Sequence, residues 1–119
     1  MARRFLFIMA AAPVGGLQAQ EALDQILTTA AMEQEVALLF LDDGVFQLCR
    51  GANPEQACRK DVSLIYEALP IYDVDDIRVE AESLLERGLD AADLQLAPLV
   101  IPRSSVAAFV AAHDIVVTC

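Results

Sequence analysis

Five short apolar runs, Arg4–Met9, Val36–Leu41, Ile77–Ala81, Leu94–Ala97 and Ile115–Thr118, alternate with stretches whose apolar residues recur at helical spacing. Runs of this length are strands, and strands separated by helical segments are the pattern of βαβ units and a mostly parallel sheet. Right-handed crossovers leave few ways to arrange them. At 119 residues the chain suits a single domain spanning 1–119. The expected fold is therefore α/β: a single-domain, three-layer α/β/α arrangement around a mostly parallel five-stranded sheet, with flavodoxin-like architecture.

The helical segments differ in how clearly they announce themselves. Ala22, Leu23, Ile26, Leu27, Ala30 and Ala31 give a first crossover helix, with Glu21, Asp24 and Gln25 left outward. A second helix starts with Asn53 as cap, Pro54 in the first helical position and Gln56 completing a capping box. Its buried stripe is Ala57, Leu64, Ile65, Ala68 and Leu69, and Pro70 stops it. A short third helix begins near Ser83 and ends at Gly88, a left-handed terminator. Pro98 and Pro102 argue against a regular central strand, so a short strand to Ala97 is expected, followed by a loop. A last helix over Ser104–Ala112 turns Val106, Phe109 and Val110 inward.

Charge excludes one class of partner. The net charge is −10 with only eight Lys and Arg, whereas nucleic-acid binding draws most of its affinity from basic residues neutralising phosphates. No direct nucleic-acid contact is expected. Arg50, Arg59 and Lys60 lie close in sequence, and a solvated surface is their simplest reading against a partner or anion site. An acidic surface suits a basic protein partner. The amino terminus, two arginines followed by Phe5–Ala12 and small residues before Gln20, imitates a signal peptide. Phe5–Met9 is equally the length of a buried first strand, and a retained strand in a cytoplasmic protein is the expectation. No apolar stretch is long enough to span a bilayer, so no membrane partner is expected.

The junction after the second run carries the most chemistry, because Asp42 and Asp43 follow a strand end, where open α/β sheets place their ligands. Paired carboxylates there can hold Mg²⁺, as in response-regulator receiver domains. A receiver also needs an acidic pair after the first strand and a late lysine, yet Met9 leads into Ala-Ala-Ala-Pro and no lysine follows Lys60. Asp43-Gly44 reads as a turn with Gly44 at positive φ. The following Val45, Phe46 and Gln47 then form an exposed tip that meets a partner together with Asp42, Asp43 and Gly44. Gly15-Gly16 is not a GxGxxG phosphate cradle, and no cofactor is expected. Cys49, Cys58 and Cys119 show neither CxxC nor metal-ligand spacing, so no metal is expected. Arg50 beside Cys49 and Arg59-Lys60 beside Cys58 make these two thiols candidate sulfur acceptors, although free cysteine is more often buried and inert. His113, the only histidine, reads as a surface or helix-end residue.

DDGVFQL at 42–48, Leu69-x-x-Tyr72-Asp73 and Ser83-Leu84-x-x-Arg87-Gly88-Leu89, in this order and almost end to end, resemble the DsrE/DsrF-like family. The resemblance implies a small α/β subunit of a sulfur relay complex, in which three related chains assemble as a dimer of heterotrimers. Its implied partners are two homologous subunits and a sulfur carrier protein, and its product sulfur serves tRNA thiolation or, in sulfur-oxidising bacteria, sulfur oxidation. In the sister subunit that carries sulfur, the acceptor cysteine lies just after the third strand. The matching stretch here, Val79-Glu80-Ala81-Glu82-Ser83, contains none. The resemblance thus implies no catalytic residue at that place, and sets Glu80, Glu82 and Ser83 at the rim of a shared site.

Overall fold

Leu6, Phe7 and Met9 are buried because the strand that carries them lies inside the sheet, with neighbours on both edges and apolar side chains packed on both faces. A computed structural model describes residues 3–10, 17–48 and 66–118. Its regular elements run β1 (Arg4–Met9), α1 (Leu17–Ala31), β2 (Glu35–Phe40), β3 (Asp76–Glu80), α2 (Ala81–Glu86), β4 (Leu99–Ile101), α3 (Arg103–Ala111) and β5 (Ile115–Thr118). Short 3₁₀ segments lie at Asp42–Leu48, Tyr66–Tyr72 and Ala91–Asp93. The sheet has five strands in the order β4-β3-β2-β1-β5, and every pairing is parallel.

Period-two alternation sorts the strand residues onto two faces. Phe7, Met9, Leu38, Phe40, Ile77 and Val79 point to one face, where α1 contributes Ala22, Leu23 and Ile26 and α2 contributes Leu84. Leu6, Ala37, Leu39 and Ile101 point to the other, against Val106, Phe109 and Val110 of α3. Steps from β1 to β2 and from β3 to β4 move one way across the sheet, whereas β4 to β5 returns. A right-handed crossover therefore puts α3 opposite α1 and α2.

β1 and β5 fall where the apolar runs place them, and β2 and β3 begin one residue earlier. The fourth strand does not: Leu94–Ala97 is not a strand, and β4 is Leu99–Ile101, between the two prolines. Leu96 and Ala97 instead turn the chain, with φ of 69° and 44°. Because β4 is an edge strand, its outer side needs no donors, and prolines at its flanks cost no ladder bond. Pro70 also fails to end its segment, lying inside the 3₁₀ segment Tyr66–Tyr72. So short a segment forfeits one N–H donor at that position, and the chain reverses three residues later, at Asp73 with φ 62°. The second helix expected from Asn53 onward lies largely outside the described residues.

α2 ends as its sequence says. Gly88 has φ +66°, its N–H donates to the Leu85 carbonyl at 3.2 Å and the Leu89 N–H donates to the Leu84 carbonyl at 3.0 Å, which is a Schellman motif. His113 caps the other end of the chain's helical set: its Nδ1 lies 2.8 Å from the Phe109 carbonyl, and its ring packs edge-on against Phe109. Arg78 places its guanidinium 4.1 Å from the centre of the same ring. No helix among the described residues is long and apolar enough to cross a membrane.

Candidate functional site

At the carboxyl ends of the strands, β3 is followed by α2 on one face and β4 by α3 on the other. Neighbouring strands whose connections leave in opposite directions open a crevice between them, the usual ligand position of an α/β sheet. Glu80 ends β3 and Arg103 opens α3, so both flank this switch point. Leu41, Asp42, Asp43, Glu80, Glu86, Arg87 and Arg103 line the depression there.

The polar groups of this depression are bound to one another. Glu80 is buried, and its Oε1 accepts from Arg103 Nε at 3.1 Å, from Arg103 Nη2 at 2.9 Å and from the Ser83 hydroxyl at 2.6 Å. The Ser83 Oγ in turn accepts from the Asp42 backbone N–H at 2.9 Å. Arg103 reaches further, donating from Nη2 to Glu86 Oε1 at 2.9 Å and from its backbone N–H to both carboxylate oxygens of Glu82, at 2.9 and 3.0 Å. Arg87 donates to Asp43 Oδ1 at 3.0 Å and to the Ser83 carbonyl at 3.2 Å. The network therefore fastens the segment after β2, the first turn of α2 and the first turn of α3 to each other.

Its electrostatics follow from these partners. Burial alone would push the Glu80 carboxyl up, but the hydrogen bonds from Arg103 and Ser83 and the charges of Arg103 and Arg87 outweigh it. The carboxyl is held below the usual range. The Glu80 and Glu86 carboxylates raise the Arg103 guanidinium further above an already high value, chiefly through their hydrogen bonds. A carboxylate held ionised in this way is a poor general base near neutral pH. The Ser83 hydroxyl, fully buried and engaged on both sides, is not presented to a substrate. Among the described residues no cluster of three or more His, Cys, Asp or Glu is placed to hold a metal ion. The arrangement is a polar lock, in which Glu80 and Glu86 are paired with Arg103 and Asp43 with Arg87.

The structure gathers Glu80, Glu82 and Ser83 with Asp42 and Asp43 at the carboxyl ends of β2 and β3, while the exposed tip expected from Val45, Phe46 and Gln47 is not formed. Val45 and Gln47 are buried and Phe46 is half-buried, because the segment coils into a 3₁₀ turn that sends Val45 and Leu48 into the core. Only Asp42 and Asp43 of the stretch 42–47 are exposed. The positive φ expected of Gly44 belongs instead to Asp42, at 51°. Gly44 is needed for closeness: a Cβ there would lie 1.8 Å from the Met9 carbonyl oxygen. Cys49, Cys58 and Cys119, with Arg50, Arg59 and Lys60, lie outside the described residues.

Sequence reasoning missed Arg103, Glu86 and the role of Arg87. Arg87 had a signal, four residues after Ser83 in the SLxxRGL motif, where an i, i+4 side chain returns over the preceding turn. Arg103 had a weaker one, as a rare basic residue directly after a strand and Pro102 in an acidic chain.

A parallel β4-β3-β2-β1-β5 sheet with its polar cluster at the β3/β4 switch point is an α/β subunit fold whose comparison with known proteins is unambiguous: the chain belongs to the DsrE/DsrF-like family, whose model matches residues 3–118. The Protein TusC homolog of Pseudomonas aeruginosa is 40% identical over 118 residues, which is 99% of each chain. The intracellular sulfur oxidation protein DsrF of Allochromatium vinosum is 42% identical over 92 residues, 77% of this chain and 68% of that one. The crystal structure of the ychN protein from E. coli shares the fold, with a TM-score of 0.79 at 18% identity over 98% of this chain and 99% of that one.

Proposed function

We propose that this chain is a non-catalytic, interaction subunit of a cytoplasmic sulfur relay complex that passes persulfide sulfur toward 2-thiouridine at the tRNA wobble position. Its partners on this reading are a TusB-like and a TusD-like homologous subunit, assembled with it as a heterohexamer, and a sulfur carrier protein. Full-length similarity to a TusC homolog supports the relay role. The observation that carries the non-catalytic part is Glu80: a buried carboxylate, tied to Arg103 and Ser83, stands at the end of the third strand, and a carboxylate cannot hold a persulfide. Similarity to DsrF favours a second reading, a subunit of the related complex of sulfur oxidation.

One complementation experiment separates these. Deleting the gene for this chain is expected to deplete wobble 2-thiouridine, measured by mass spectrometry of digested tRNA, and the triple variant Cys49→Ser, Cys58→Ser, Cys119→Ser is expected to restore it. Unchanged 2-thiouridine after deletion would refute the tRNA branch. Restoration by the wild type but not by the triple variant would make the chain a sulfur acceptor through its own cysteine.

A further inference from the structure

The end of the sheet away from the polar lock carries an open groove of about 770 Å³. That lies within the roughly 300–1,000 Å³ of sites that take whole ligands. The groove runs along the amino ends of β1, β2 and β3, walled by the segments that enter β2 and β3 and by the end of α3. Apolar side chains lie open there. Tyr72 on its wall is 43% exposed, and Ile71 beside it 81%. Met32, 65% exposed, lines an adjoining hollow that shares Phe5 and Gln34 with the groove. Exposed apolar side chains rimmed by polar groups mark a contact surface.

Charge says what would cover it. The groove is lined by the carboxylates of Glu33, Glu35, Asp73, Asp75 and Asp76 against the guanidiniums of Arg4 and Arg78. Both guanidiniums are already engaged. Arg4 Nε lies 3.3 Å from Glu35 Oε2, and Arg78 Nε lies 3.0 Å from Asp76 Oδ1 with its guanidinium on the Phe109 ring. Glu33, Asp73 and Asp75 are exposed, and their carboxylates make no ion pair among the described residues. α1 and α3 also end here, at Ala31 and Ala111, with no basic residue in the last turn of either. Two helix carboxyl ends thus add partial negative charge. A cation is the electrostatic complement. Among the described residues, no three of these carboxylates are placed to hold a metal ion. The matching positive charge is therefore spread along a chain, and the exposed Tyr72, Ile71 and Met32 suit apolar side chains on that same chain.

We propose that this groove docks a basic segment of a partner protein, its lysines or arginines against Glu33, Asp73 and Asp75 and its apolar side chains on Tyr72, Ile71 and Met32. The inference does not rest on the proposed relay function, whose test reads tRNA 2-thiouridine. The probe is an end-capped peptide alternating Lys and Leu, titrated calorimetrically into the full-length chain at physiological salt. Wild type is expected to bind it. The double variant Asp73→Asn, Asp75→Asn is expected to weaken binding about tenfold or more, and Met32→Ser, Ile71→Ser about fivefold or more. Glu21→Gln, Asp24→Asn removes the same charge from the exposed side of α1 and is expected to change affinity less than about twofold. All six positions are exposed, so circular dichroism spectra are expected to match wild type. Equal weakening by the two acidic double variants would reduce the effect to net charge and overturn the groove as the site. No binding by wild type would overturn the proposal. Spermine binding as tightly as the peptide would make the occupant a small polycation and overturn the assignment to a protein segment.

Discussion

Replacing Gly44 with alanine is expected to destabilise the chain by about 3 kcal/mol, the upper end of what an overpacked interior position costs. The new Cβ would lie 1.8 Å from the Met9 carbonyl oxygen, 2.5 Å from its carbon and 3.0 Å from the Ala10 nitrogen, all backbone. No rotamer relieves such a contact. The Met9 oxygen also accepts from the Leu41 N–H at 3.1 Å, and the Gly44 N–H donates to the Leu41 carbonyl at 3.0 Å. The added atom must therefore either pull β1 from β2 or unwind the acidic turn that starts the polar lock. Gly88→Ala gives the contrast, since nothing lies within 4 Å of its Cβ position and only its φ of +66° is strained, a cost of about 1 kcal/mol. Urea unfolding measures both. A Gly44→Ala midpoint equal to that of wild type would refute the close approach.

Ser83→Ala carries the second large effect, about 2 kcal/mol, because it strands two groups at once. The Asp42 N–H, part-buried, loses its acceptor, and the buried Glu80 carboxylate loses its closest donor where water has little access to replace it. The pH dependence has a definite sign. A carboxyl held below its unfolded value contributes stability that is fully present above that value, 4.5 for Glu80, and is lost as pH falls through the lower, folded value. Removing the Ser83 hydroxyl takes away one of the groups that lower it, so in Ser83→Ala the acid loss of stability begins at a higher pH. Unfolding free energies collected between pH 7 and pH 3 read out both effects. A variant that matches wild type at neutral pH and in its acid limb would contradict the lock.

Much of the fold was legible because hydrophobic periodicity is a local signal. Arg4–Met9 and Ile115–Thr118 are strands for the reason their sequence suggests, apolar runs flanked by helical spacing, and Gly88 ends α2 through the conformation glycine favours. The misplaced fourth strand shows where local signals stop. Leu94 is buried, which is what its apolar neighbourhood implies, but as a single extended bridge residue after the 3₁₀ segment Ala91–Asp93; the strand lies beyond Pro98, and only edge position makes the flanking prolines tolerable.

The candidate site was half legible. Glu80, Glu82 and Ser83 were placed by the family resemblance, and Asp42 and Asp43 by their position after a strand. Val45 and Gln47 were misread because exposure on a loop is a tertiary property: an apolar residue after a strand looks the same whether the chain leaves the sheet or coils back into it. Arg103 stayed hidden for the same reason. It lies 23 residues from Glu80 in sequence, and only the β3/β4 pairing, with Glu80 opposite Ile101, brings the two together.

The central claim is that the chain works as one subunit among relatives, with its switch-point groups locked to one another. Native mass spectrometry of the wild-type chain co-expressed with the TusB-like and TusD-like chains proposed as its partners tests that claim most directly. A stoichiometric complex containing all three chains is the result predicted here; a chain that flies alone, or paired only with itself, while its two relatives assemble without it, would contradict the account.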